Sequence, residues 1–157
     1  MIVIYTDGSC KGNPGPGGFG VVVCECEWGD TPENFKIINA YQERSPQTTN
    51  NREEMKAIIW AVENYGITDL TIYSDSAYCV NTFTKWMHGW KNNGWKRPRN
   101  QPVENLDLVQ KYDFLSQLYK FNLVKVPGHK GVFHNELADQ LATGKITAAE
   151  VMNKYGK

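Results

Sequence analysis

The sequence predicts an α/β fold: a mixed five-stranded sheet, three antiparallel strands then parallel additions, flanked by helices. Three observations predict it. Three β-rich segments follow one another with short links in the first quarter of the chain, as in an antiparallel meander. Helical and strand patterns then alternate, the mark of parallel crossovers. The length of 157 residues, with 41% apolar and 12% aromatic residues, suits one domain with an ordinary core and excludes bulk disorder.

The elements can be justified in order. Residues 1–6 are apolar and β-rich and read as a short buried strand. The run Asp7-Gly8-Ser9-Cys10-Lys11-Gly12-Asn13-Pro14-Gly15-Pro16-Gly17-Gly18 is so rich in Gly and Pro that a loop is expected, not a helix or regular strand. Phe19 to Glu27, dense in Val, is the second strand; Gly29-Asp30-Thr31-Pro32 turns the chain, and Phe35 to Tyr41 is the third strand. Thr48-Thr49-Asn50-Asn51 offers N-caps for a helix carrying Met55, Ile58, Ile59 and Val62 at i, i+3, i+4, i+7 spacing and ending at Gly66. Leu70 to Tyr73 is the fourth strand, and Ser74-Asp75-Ser76 opens the next helix. Leu106 to Tyr119 is helical, with Leu108, Tyr112, Leu115 and Tyr119 on one stripe; Asn122 to Val126 is the fifth strand, halted by Pro127. Asn135 is expected to cap a helix bearing Leu137, Leu141 and Ala142, and Thr147-Ala148-Ala149-Glu150 reads as a capping box for a short last helix. There is no internal repeat, long linker or low-complexity tract, so residues 1–157 are expected to form a single domain.

Seventeen Lys and Arg balance 17 Asp and Glu, so net charge announces no nucleic-acid partner and local distribution has to be read instead. The N-terminus turns polar too soon for a signal peptide, and no apolar run approaches the ~20 residues that span a bilayer; a cytoplasmic protein with no membrane partner is expected. Cys10, Cys24, Cys26 and Cys79 have no C-x-x-C spacing and no His-rich neighbour, which favours reduced thiols over a zinc site.

Four carboxylates stand out by position. Asp7 and Asp75 follow strands one and four, Glu54 lies near the start of a helix beside its apolar stripe, and Asp139 lies on a later helix. Ligands bind at the carboxyl ends of strands in open sheets, so neighbouring strands one and four would aim Asp7 and Asp75 at one spot. Gathered carboxylates repel and need a cation, and hard oxygen ligands suit Mg²⁺ or Mn²⁺. Locally each has a plainer reading: Asp7 and Asp75 as turn formers or caps, Glu54 as a partner of the helix dipole, Asp139 as part of a solvated face away from Leu137 and Leu141. His129, in a Gly-flanked loop, is either idle or a proton shuttle.

Residues 76–103 contain no Asp or Glu but carry Lys85, Lys91, Lys96, Arg97 and Arg99, interleaved with Trp86, Trp90 and Trp95. This is either a tryptophan satellite core with a solvated basic rim or a grip on nucleic-acid phosphates, and both can hold at once.

Taken together, Thr6-Asp7-Gly8-Ser9, Gly12-Asn13-Pro14-Gly15-Pro16-Gly17-Gly18, Thr49-Asn50-Asn51-Arg52-Glu53-Glu54, Ser74-Asp75-Ser76, Gly128-His129 and Asn135-Glu136-Leu137-Ala138-Asp139 occur in the order that resembles cellular-type ribonuclease HI. The resemblance covers residues 1–143 and includes a basic helical protrusion, here about 85–99. It implies a ribonuclease H-like fold and an endonuclease that hydrolyses the RNA strand of RNA–DNA hybrids with two Mg²⁺ ions, Mn²⁺ able to substitute, leaving 5′-phosphate and 3′-hydroxyl ends. By the same resemblance Asp7, Glu54, Asp75 and Asp139 are metal ligands, and His129 assists proton transfer or product release. Asn13, Asn50 and Asn51 match minor-groove contacts, Thr49 and Asn105 match a pocket for a DNA-strand phosphate, and Lys85, Trp86, Lys91, Lys96, Arg97 and Arg99 fall on the substrate-binding protrusion.

Two departures from the family pattern are visible. Gln47 replaces a frequent Arg near the phosphate pocket, with Arg44 a candidate substitute. Glu53 replaces an apolar or neutral residue and is expected to point away from Glu54, since helix neighbours lie ~100° apart. The expected partner is the hybrid duplex, with a monomer as the default, no separate binding domain ahead of Met1 and no role for residues 144–157. The alternatives are a non-catalytic hybrid-binding module and a DNA-directed nuclease or transferase of the same superfamily.

Overall fold

The computed structural model describes residues 1–126 and 133–156. Its main sheet has five strands in the order β3-β2-β1-β4-β7. Strands β1 (Ile2–Cys10), β2 (Gly15–Glu25) and β3 (Lys36–Thr48) are antiparallel neighbours. β4 (Leu70–Ser74) lies parallel to β1, and β7 (Asn122–Lys125) lies parallel to β4. Helix α1 (Asn50–Tyr65) makes the crossover from β3 to β4. This is the mixed sheet that the patterning predicts.

Alternation along the strands divides the core. Ile2 and Ile4 of β1 and Phe19, Val21 and Val23 of β2 pack with Met55, Ile58, Ile59 and Val62 of α1. Val3, Tyr5, Val22 and Cys24 face the other way, against Leu137, Ala138 and Leu141 of α5 (Phe133–Thr143) and Val151 of α6 (Ala148–Tyr155). α4 (Leu106–Leu118) joins the α1 side through Val109, Tyr112 and Leu115. The α6 capping box is formed as the sequence predicts: Glu150 N–H donates to Thr147 Oγ1 (3.1 Å) and Thr147 N–H donates to Glu150 Oε1 (3.0 Å).

Three expectations need correction. The Gly-rich run is not a plain loop: β1 continues to Cys10 and β2 begins at Gly15, with Gly8 opposite Phe19, Ser9 opposite Gly18 and Cys10 opposite Gly17. β3 likewise runs on to Thr48 along β2. Glycine, ordinarily a strand breaker, marks here the places where other backbones press on the sheet. Asn135 does not cap α5 either; the helix already includes Phe133, and Asn135 is buried within it.

The protrusion grows from a helical run in three parts: α2 (Ala77–Asn81), a π-helical turn (Thr82–Trp86) and α3 (Met87–Asn92). The two-residue strands β5 (Lys96–Arg97) and β6 (Gln101–Pro102) close it. Among the described residues, no helix is long and apolar enough to cross a membrane.

Candidate active site

The sheet register assembles the first two carboxylates. Thr6 of β1 pairs with Ser74 of β4, so the next residues on these parallel neighbours, Asp7 and Asp75, lie side by side. Glu54 arrives from α1 over Gly8. A Cβ at Gly8 would sit 2.3 Å from the Glu54 backbone nitrogen and 2.5 Å from the Glu53 carbonyl carbon, so only glycine admits the first turn of α1 this close. Asp7, Glu54 and Asp75 thereby offer carboxylate oxygens within 4.8 Å of one another.

Asp139 is brought in by a second close approach. Gly20 pairs with Asp7 across β1 and β2. A Cβ there would lie 2.5 Å from the Ala138 carbonyl oxygen and 2.5 Å from Leu141 Cβ. α5 therefore crosses β2 beside Asp7, which brings Asp139 close enough to act on Asp7, although Asp139 is exposed and stands outside the group formed by Asp7, Glu54 and Asp75. His129 lies outside the described residues.

Electrostatics single out this cluster. Burial, with the charges of Asp75 and Asp139, pushes Asp7 up to about 7, despite an opposing pull from the facing Glu54. Burial, then Asp7 and Asp75, holds Glu54 well above the usual carboxylate range. Gly8 N–H donates to Asp7 Oδ1 (2.9 Å), whereas Glu54 Oε2 is buried with no hydrogen-bond partner among the described residues. A buried oxygen left bare inside a group of carboxylates fits a divalent cation, which would satisfy the oxygen and offset the repulsion together.

Several of the residues expected to touch substrate are linked to one another at the start of α1. Thr49 caps α1, accepting from Arg52 N–H (3.2 Å). Asn13 Oδ1 accepts from Asn50 N–H (2.9 Å), which fixes the β1–β2 turn to the α1 N-terminus, and Asn51 follows, half-buried. Asn105, at the N-terminus of α4 with φ 56°, accepts from Arg52 Nη1 (3.3 Å). Arg52, noticeable in the sequence only as part of a motif, thus ties Thr49 to Asn105, and it pairs with Asp107 at 2.8 Å. The guanidinium of Arg44, the candidate substitute for the Arg that Gln47 replaces, donates to the Ala142 carbonyl at the end of α5.

On the protrusion, Lys85, Lys96 and Arg99 are exposed, and Trp86 and Trp90 pack with 6.4 Å between ring centres. Lys91 is exposed as well, and its ammonium pairs with Asp113 of α4 at 3.0 Å, which ties the arm to that helix. Arg97 Nε donates to the Pro102 carbonyl (2.8 Å) and braces the β5–β6 pair. The close-packed glycines are the parts of the site hardest to recognise, since a Gly-rich run reads as a turn until its neighbours are known.

Fold and site together define a class: a mixed α/β domain with a carboxylate cluster of cation-binding type at the point where helices approach the central strand from both faces. The family model for RNase H matches residues 1–147, and the chain belongs to that family. A ribonuclease H of Rhodopseudomonas palustris is 40% identical over 158 aligned residues, covering 99% of this chain and 91% of the relative. The crystal structure of LC9-RNase H1, a type 1 RNase H with the type 2 active-site motif, superposes with a TM-score of 0.75 at 32% identity, covering 95% of this chain and 74% of that one. LC11-RNase H1, solved in complex with an RNA/DNA hybrid, shares the fold at a TM-score of 0.63 and 24% identity, with 90% of this chain and 94% of that one covered.

Proposed function

We propose that this chain is an endoribonuclease that hydrolyses the RNA strand of RNA–DNA hybrids, with Asp7, Glu54, Asp75 and Asp139 holding two Mg²⁺ ions, replaceable by Mn²⁺. The observation that carries the reading is the cluster of three carboxylates within 4.8 Å, containing a buried and unpartnered Glu54 oxygen, in a chain of the RNase H family. Bound there, divalent cations supply charge neutralisation, a more acidic water and stabilisation of the leaving oxygen. Water adds to phosphorus, the bond to the 3′ oxygen breaks, and the products end in a 5′-phosphate and a 3′-hydroxyl. His129 is assigned proton transfer or product release.

The remaining residues position the duplex. Asn13 and Asn50, joined by a hydrogen bond, and the adjacent Asn51 are assigned to the minor groove, where the 2′-hydroxyl separates RNA from DNA. Thr49 and Asn105, linked through Arg52, form the pocket for a DNA-strand phosphate. Lys85, Trp86, Lys96 and Arg99 offer cations and an aromatic face on the protrusion, while Lys91 and Arg97 stiffen it.

Asp75→Asn tests the assignment. It keeps the side chain's size but removes one charge from the cluster, so turnover on a hybrid should fall about a hundredfold or more with an unchanged circular dichroism spectrum. Near-normal turnover in a folded Asp75→Asn protein would contradict it.

A further inference from the structure

Three consecutive residues near the start of α1 splay to three different elements. Arg52 reaches α4, donating to Asp107 (2.8 and 3.0 Å) and Asn105 (3.3 Å). Glu54 reaches Asp7. Glu53, between them, turns to the end of β3: its Oε2 accepts from Thr48 Oγ1 (2.8 Å) and from Lys56 Nζ (2.8 Å), and Lys56 Nζ also donates to Ser45 Oγ (2.8 Å). Glu53 is fully buried at 0% exposure, and its Oε1 has no partner among the described residues. A hydrophobic residue would fill such a position without leaving a polar atom bare, so the carboxylate needs a reason beyond packing.

The geometry points to Glu53 as a positioning residue that sets the placement of Glu54 over Asp7. The first turn of a helix is held by few of its own hydrogen bonds and frays most readily. Here that turn carries Asn50 and Asn51 and leads straight into Glu54, and two of its N–H groups meet side-chain acceptors, Arg52 N–H on Thr49 Oγ1 and Asn50 N–H on Asn13 Oδ1. Gly8 presses on it from below at the Glu53 and Glu54 backbone, and Arg52 holds one flank. The Glu53, Lys56, Ser45 and Thr48 group holds the opposite flank, joining the turn to the last residues of β3. Lys56 also balances the charge of Glu53, so the carboxylate beside Glu54 is not added to the cluster as a further repulsion. The inference rests on the cation-binding reading of that cluster.

The test compares Glu53→Met, which keeps length but loses both acceptors, with Glu53→Gln, which keeps an acceptor for Thr48. Calorimetric titration with Mn²⁺ in the absence of substrate should show Glu53→Met binding weakened about tenfold, with kcat on a hybrid falling by a similar factor and KM little changed. Glu53→Gln should recover most of both, whereas Glu53→Met, which leaves the Lys56 ammonium and the Thr48 hydroxyl without this partner, should melt lower than the wild type. Should Glu53→Met fail to fold, Thr48→Val removes the same hydrogen bond from the other side and should weaken Mn²⁺ binding in the same direction. Mn²⁺ affinity and kcat within about twofold of wild type in a folded Glu53→Met or Thr48→Val protein would overturn the positioning role while leaving the site assignment standing. A wild-type protein that neither binds Mn²⁺ nor cuts the hybrid would remove both.

Discussion

Asp7 gathers most of the consequences at the scale of single residues. With Asp7 raised to about 7 from 3.8, and Glu54 raised as well, the cation-free folded chain keeps protons that the unfolded chain releases near pH 4. The folded state is therefore favoured at low pH by these groups, and that contribution is lost as pH climbs through about 7. Buried His134, whose imidazole titrates below 6.5, works in the opposite direction, adding stability as pH rises toward that value. Denaturation in EDTA across pH 4 to 8, wild type against Asp7→Asn, isolates the carboxylate part. Asp7→Asn should gain stability relative to wild type as pH rises, and a pH-independent difference would contradict the raised value.

Gly8 is a second residue-scale test. Alanine there would place its Cβ 2.3 Å from the Glu54 nitrogen, against backbone rather than a movable side chain. Gly8→Ala should cost about 1–3 kcal/mol and displace α1 from the cluster, lowering activity more than stability alone explains. Urea denaturation beside hybrid cleavage measures both. The four carboxylates are recognisable in the sequence because they recur with ordered motifs. Gly8 and Gly20 are not, because nothing in a single chain says which backbone a bare glycine faces.

Among the elements, the sheet and most helices are legible from period and caps: β4, α4 and the α6 capping box fall within a residue or so of the expected bounds. The departures share a cause. Gly15 to Gly18 are strand because they lie between β1 and the extension of β3, pairing with Ser9 and Cys10 on one side and with Arg44, Ser45 and Thr48 on the other, a pairing that local propensity cannot register. The pairing of Lys91 with Asp113 is likewise invisible in the sequence, because Asp113 lies on another helix. The arm itself makes a separable prediction. Replacing exposed Lys85, Lys96 and Arg99 with Ala should raise KM for the hybrid and leave kcat nearly unchanged. It should also flatten the salt dependence of binding by about one unit of slope for each of these cations that reaches a phosphate. An unchanged salt slope would show that none of them touches the backbone of the duplex.

For the whole molecule, the fold serves the site by converging three directions on one strand. β4 supplies Asp75 through register with β1, α1 supplies Glu54 over Gly8, and α5 supplies Asp139 over Gly20. The central claim is activity on the RNA strand of a hybrid, and one assay addresses it directly. End-labelled RNA–DNA hybrid, duplex RNA, duplex DNA and single-stranded RNA are each incubated with the purified protein in Mg²⁺ and in EDTA. Cleavage confined to the RNA strand of the hybrid and abolished by EDTA is the expected result. Binding without cleavage, or cleavage of the DNA duplex, would contradict it.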